Sequence, residues 1–146
     1  MAVSDQIGAQ LPYLRRYARA LTGSQASGDA YVRATLEAAL SDDDLRQAIA
    51  SSRSALYGAF TRIWMSGHVD EPVAAEGGRH ELAAQTRLAA IAPTHRQALL
   101  LTTVEEFSAD DAAEILRIDE SEVERLVNQA VREIEGESST DVMIIE

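Results

Sequence analysis

Apolar residues in this chain return every three or four positions in nearly every segment. That period marks one buried face of an α-helix, and strict alternation, the mark of a half-buried strand, is missing from the body of the chain. The expected fold is therefore all-α. In the first stretch Ile7, Leu11, Leu14, Ala18 and Leu21 share a face. Pro12 falls inside it. Proline has no N–H to donate and is tolerated in a first turn, so the helix is expected to begin there and to stop at Gly23. A second helix is expected over 27–40, with Val32, Leu36 and Ala39 inward. The acidic run 41–44 supplies caps and favourable charge for a third, long helix ending near 66–67. Its stripe is Leu45, Ile49, Ser52, Leu56, Phe60 and Ile63.

The pattern then breaks. The stretch GHVDEPVAAEGG (67–78) holds three glycines, a proline and no helical stripe, which reads as a linker. The expected organisation is a helical bundle over 1–66, a linker over 67–78, a second helical unit over 79–136 and a tail over 137–146. In the second unit helical spacing resumes over 80–91, and Pro93 opens a helix over 94–105 with Leu99, Leu100, Leu101 and Val104. Ser108 can cap a short helix over 109–116. Ser121 and Glu124 have the spacing of a capping box for a last helix, with Val123, Leu126, Val127, Ala130, Val131 and Ile134 inward and Gly136 as its stop. The tail ends in Val142–Ile145, a β-branched run that reads as a strand without a partner.

Composition excludes several chemistries. There is no cysteine, which removes disulfides, thiolate ligands and thiol nucleophiles. His68, His80 and His95 lack ligand spacing, so no metal is expected. No apolar run is long enough for a membrane span and no signal pattern opens the chain, so a cytoplasmic place is expected. No nucleophile motif, phosphate-cradling loop or other catalytic arrangement is present; neither an enzyme nor a cofactor is implied.

The segment 108–134 carries the most information. A short capped helix, a tight turn and a second helix give a helix-turn-helix, or else a plain helical hairpin. Ala112 and Ala113 would let its helices approach closely, and Ile118 could plug the junction. DNA reading needs arginine and lysine on the second helix. That helix instead opens with Asp119, Glu120, Glu122 and Glu124, and 109–136 holds nine acidic residues against three arginines. The whole chain has a formal charge of −11 and no lysine, so phosphate backbones repel it.

Other features stay open on the residues alone. Arg15, Arg16 and Arg19 could touch an acidic partner or make local ion pairs. Tyr13, Tyr17 and Tyr31 suit an interface or a core. The consecutive Leu99, Leu100 and Leu101 span more than one helix face. They imply either a helix buried on two sides or a groove for a partner helix.

Two stretches resemble a known family. IAPTHRQALLLTTVEEFSADDAAEILRIDESEVERLVNQAVREI (91–134) resembles region 4 of the extracytoplasmic-function sigma factors, and LPYLRRYARALTGSQASGDAYVRATLEAAL (11–40) resembles their region 2. The glutamates where such sigma factors carry basic residues, and the sparser acidic core around 28–31, point to a sigma-like shape without the DNA contacts. That combination is similar to the PhyR response regulators of the alphaproteobacterial general stress response. They join a sigma-like domain to a receiver domain, whose first strand STDVMIIE resembles.

The resemblance implies two subdomains shaped like sigma regions 2 and 4. It also implies binding of a NepR-type anti-sigma factor, with release of the true sigma factor by partner switching. The receiver domain of a longer chain would be a second partner, and without it phosphorylation would not be needed. DNA is not an expected partner. The alternative is an active, DNA-binding sigma factor. The expected partner faces are Leu100, Leu101, Val104 and Phe107 on one side and Tyr13, Tyr17, Leu21 and Tyr31 on the other. Leu100→Asp or Tyr17→Asp would then weaken binding and leave the fold.

Overall fold

A computed structural model of the chain describes residues 3–66 and 93–145, with side chains over 4–66 and 93–136. The described elements are all helices: α1 (Val3–Thr22), α2 (Gln25–Leu40), α3 (Asp43–Ser51), α4 (Arg53–Ser66), α5 (Pro93–Thr103), α6 (Ala109–Leu116) and α7 (Glu120–Ile145). The expected linker over 67–78 and the expected helix over 80–91 lie outside the described residues.

Pro12 does not start α1; the helix runs through it from Val3. A proline inside a helix costs about 3 kcal/mol. Burying an aliphatic side chain returns roughly 1.5–3 kcal/mol. Ile7 is 8% exposed and Leu11 packs against the core, so the two turns before Pro12 are held by packing. Gly23 takes a left-handed backbone (φ 82°) and ends α1, as its position suggested. Ser24 then caps α2 by accepting from the Ser27 amide at 2.9 Å, which starts that helix two residues earlier than expected. Gly28 sits where α2 comes closest to α1. A Cβ there would lie 2.7 Å from the Arg19 backbone nitrogen.

The expected long third helix is two helices. Ser52 is extended (φ −144°, ψ 123°), its amide donates to the Ala48 carbonyl, and its hydroxyl accepts from the Ala55 amide at 3.2 Å. A serine oxygen competing for backbone donors interrupts the ladder, as serine side chains do. The apolar stripe survives the break, with Ile49, Leu56 and Phe60 all at most 1% exposed.

In the second half α5 stops at Thr103, two residues short of the expected end. Glu106 adopts a left-handed backbone (φ 60°), and the Phe107 amide reaches back to the Leu101 carbonyl. Ser108 caps α6 as expected, accepting from the Asp111 amide at 3.1 Å. Arg117 turns the chain in the left-handed region (φ 57°), and the Ile118 amide closes the turn on the Ala113 carbonyl. Ala112 is fully buried and Ala113 nearly so, which completes a helix-turn-helix.

Four expectations for α7 fail. The Ser121–Glu124 capping box does not form. Asp119 is the cap, its carbonyl accepting from the Glu122 and Val123 amides, and Ser121 sits exposed in the first turn. Gly136 does not stop the helix, and 142–145 is helical, not a strand. A strand needs a neighbour to pair with, and there is none among the described residues, whereas helical bonds satisfy the backbone locally. Val131 and Ile134 are 38% and 41% exposed instead of buried. Ile134 lies beside Glu133, which bonds His95 in the first turn of α5, so it falls where the described packing ends.

The two halves do not have separate cores. One cluster runs from Ile7, Leu14 and Tyr17 through Leu56, Tyr57 and Phe60 to Leu101, Phe107, Ile115 and Val123. The seam is made where α1 lies against α5 and α4 against α6.

Candidate partner-binding interface

The turn between α5 and α6 pushes into the first half. Phe107 meets Tyr57 of α4 edge-on, with ring centroids 4.9 Å apart. Tyr57 in turn packs on Tyr17 of α1 at 5.3 Å. Just before Phe107, the side chain of Glu105 is fully buried. A buried carboxylate must be paired and hydrogen-bonded, and this one is. Its Oε1 accepts from the Tyr57 hydroxyl at 2.5 Å and from Arg53 at 3.3 Å, and its Oε2 accepts from Arg16 Nε at 3.1 Å. Arg53 also donates to the Glu105 carbonyl at 2.8 Å, and Arg16 to the Val104 carbonyl at 3.3 Å. The Arg53 guanidinium lies 4.3 Å from the Phe107 ring centre, a cation–π arrangement.

These contacts shift the protonation of the groups involved. Hydrogen bonding to Glu105 raises the Arg16 guanidinium above its ordinary value. Burial, with the carboxylate beside it, pushes the Tyr57 phenol well above the usual range. Tyr17 is raised further, chiefly by burial and then by Tyr57 and Glu105 nearby. Its hydroxyl is buried and has no hydrogen-bond partner among the described residues.

Above the buried carboxylate lies a cleft of about 390 Å³, walled by Gln10, Tyr13, Arg16 and Arg53 from the first half and by Val104 and Glu106 from the second. Beyond Phe107 a groove of similar size continues along the second half, lined by Thr102, Ala109, Val123 and Val127.

The structure divides the eight candidate partner residues. Tyr13 (49% exposed), with the Arg16 guanidinium 5.4 Å from its ring centre, and Val104 (42%) both line the cleft, one from each half. Tyr17, Leu21, Tyr31, Leu100, Leu101 and Phe107 are at most 7% exposed and belong to the core. The periodicity located their helices and could not tell a covered face from an open one; Tyr17 and Tyr31 are covered by α4 of their own half. The three leucines follow the same rule: α5 is buried on two sides, with Leu99 alone half-exposed. Nor do the three clustered arginines act together. Arg16 serves Glu105, while Arg19, in a two-pronged pair with Asp29 at 3.1 Å, lines another hollow together with Arg15 and Arg33.

Glu105 and Arg53 were missed altogether. The signal was present: Glu105 follows Leu101 by four residues, so it continues the inward stripe of the helix expected over 94–105, and a carboxylate on an apolar stripe calls for a cation. The start of the second helix of the helix-turn-helix is as acidic as the sequence indicated, with Glu120 and Glu124 exposed and Glu122 paired to Arg125. Among the described residues no acid–histidine group could hold a metal ion, and no helix is long and apolar enough to cross a membrane.

Comparison with known proteins places both halves. The family model described as the Sigma2 domain of PhyR matches residues 7–61, and that of the response regulator PhyR, sigma-like domain, matches 88–137. The phyllosphere-induced regulator PhyR of Methylorubrum extorquens is 44% identical over 150 residues, covering all of this chain and 54% of that protein. The chain thus spans about half the length of that relative. Among solved structures, the PhyRSL–NepR complex from Sphingomonas sp. Fr1 matches at 44% identity, with a TM-score of 0.73, over 93% of this chain and 88% of that one. The anti-anti-sigma factor PhyR complexed with anti-sigma factor NepR from Bartonella quintana matches at 33% identity and the same TM-score, over 93% of this chain and 50% of that one.

Proposed function

The chain belongs to the family of PhyR sigma-like domains, and from that premise we propose that it is a sigma-factor mimic that binds a NepR-type anti-sigma factor. Sequestering that factor frees the true sigma factor, so the output is a change of partner and not a reaction. The observation that carries this reading is the cleft lined from both halves, with exposed Tyr13 from the first and Val104 from the second beside the Glu105 cluster. A ligand seated there reads both sigma-like halves at once.

The charge supports the same reading. A net charge of −11 keeps the mimic off promoter DNA, because carboxylates repel the phosphates that dominate such binding. It also speeds encounter with a basic partner. Resemblance to the sigma factor toward one ligand, combined with failure toward another, is how specificity is reached when shapes are shared. The cytoplasm is the place where such partners meet, and a receiver domain in a longer chain is the natural source of restraint.

The test is a calorimetric titration of the chain with a NepR-type protein, without a phosphodonor. One-to-one binding is expected. Absence of binding, together with association with core RNA polymerase, would replace this reading with that of an active sigma factor.

A further inference from the structure

Among the described residues, the polar contacts across the seam centre on Glu105, with Arg96 of α5 making a separate one to the Leu21 carbonyl of α1. Every donor to the Glu105 carboxylate belongs to the first half: Arg16 on α1, and Arg53 and Tyr57 on α4. The carboxylate belongs to the second. The left-handed backbone at Glu106 (φ 60°), uncommon for a residue other than glycine, turns the chain so that Glu105 is buried while Glu106 stays exposed. Glu105 is therefore seated only when α1, α4 and the α5–α6 turn are all in place together.

The two sides of the cluster differ in their access to water. The Glu105 side chain is 0% exposed, while Arg16 and Arg53 are 49% and 32% exposed. If the halves parted, the arginines would lose little and the carboxylate would regain its hydration. A buried ion pair of this kind contributes little net stability and a great deal of geometric definition. Beneath Tyr57, the buried Tyr17 hydroxyl lacks a partner among the described residues. The shared apolar core holds the halves together, and the Glu105 cluster selects the one geometry in which they close.

We infer that Glu105 is a closure latch: the cleft carrying Tyr13 and Val104 exists only while Glu105 is seated. The fraction of chains so seated scales the apparent affinity for the partner, because only that fraction is competent to bind. The statement about affinity rests on the function proposed above; the statement about closure does not.

The chain has no cysteine, so Arg33→Cys on α2 and Glu114→Cys on α6, both exposed, accept one spin label in each half. Electron–electron distance measurements should give a single narrow distribution in the otherwise unaltered chain. Glu105→Ala should broaden it and shift it to longer distances while circular dichroism stays helical, and Glu105→Gln should fall between. If Glu105→Ala loses its helical signal, Tyr57→Phe and Arg16→Gln, which each remove one arm, must still broaden the distribution. An unlabelled NepR-type protein should restore the narrow distribution of Glu105→Ala, with an apparent Kd at least tenfold weaker than for the unaltered chain. A distribution left unchanged by Glu105→Ala, or by both arm variants should that chain not fold, overturns the latch. An open distribution with unweakened affinity overturns its coupling to the partner. Opening of the variants with no binding by any chain supports the latch and overturns the proposed function instead.

Discussion

Tyr57 and Phe107 stand edge to face, with centroids 4.9 Å apart and planes at 73°, although fifty residues of sequence separate them and they belong to different sigma-like halves. Edge-on aromatic pairs contribute about 0.5–1.5 kcal/mol beyond the area they bury. Phe107→Ala should cost roughly 3–5 kcal/mol, as truncation of buried phenylalanines does. In a urea-denaturation double-mutant cycle with Tyr57→Leu, the pair should show a coupling of about 1 kcal/mol. Additive effects would mean that the halves only touch there.

The exposed and buried candidate residues should separate cleanly. Tyr13→Asp and Val104→Asp should keep the helical circular dichroism signal and weaken binding to a NepR-type protein at least tenfold, about 1.4 kcal/mol. Tyr17→Asp and Leu100→Asp should lose the folded state, since each puts a charge in the core. This reverses the expectation for the latter two drawn from sequence.

That reversal shows where the sequence is legible. The helices, the Ser108 cap and the helix-turn-helix follow from local rules: apolar period, oxygen-bearing caps and small residues at close contacts. Whether Leu100 or Tyr17 faces a partner depends on what lies over it, and the period that marks a face says nothing of its cover. The break at Ser52 was hidden because the apolar stripe continues across it. Glu105 was readable as a carboxylate on an inward stripe, but its partners lie 89, 52 and 48 residues away, beyond any local pattern.

Two glycine substitutions should have opposite signs. Gly8 lies in α1 with nothing within 4 Å of a Cβ, so Gly8→Ala should stabilise by about 0.5–1 kcal/mol through helix propensity. At Gly28 the added methyl would meet the backbone of Ala18 and Arg19 at 2.7–2.9 Å. Backbone atoms cannot step aside as a flexible side chain can, so Gly28→Ala should destabilise by about 1–3 kcal/mol. Thermal denaturation of the two variants against the parent would show it.

Stability should fall in alkali. Burial keeps Tyr17 and Tyr57 protonated in the folded state at pH values where an unfolded tyrosine, with a pKa of about 10, ionises. The folded chain then holds more protons than the unfolded one. The stabilisation is complete below about pH 10 and is lost as pH rises from there toward the folded values. Tyr17→Phe should flatten this loss. It should be neutral or stabilising by about 1 kcal/mol at pH 7, because it removes a buried hydroxyl without a partner. Urea midpoints measured from pH 8 to 11 would test both statements.

Ser52 serves as the C-cap of α3 and the N-cap of α4 at once, so the joint between those helices has no slack. One residue advances a helix by about 100° around its axis. An insertion or deletion at this joint would therefore rotate α4 by more than a quarter of a turn. Arg53 and Tyr57 would swing off the bearing they now hold toward the second half. The angular phase of the whole seam is set by a joint one residue long, and an insertion or deletion there would misalign two halves that each remain well formed.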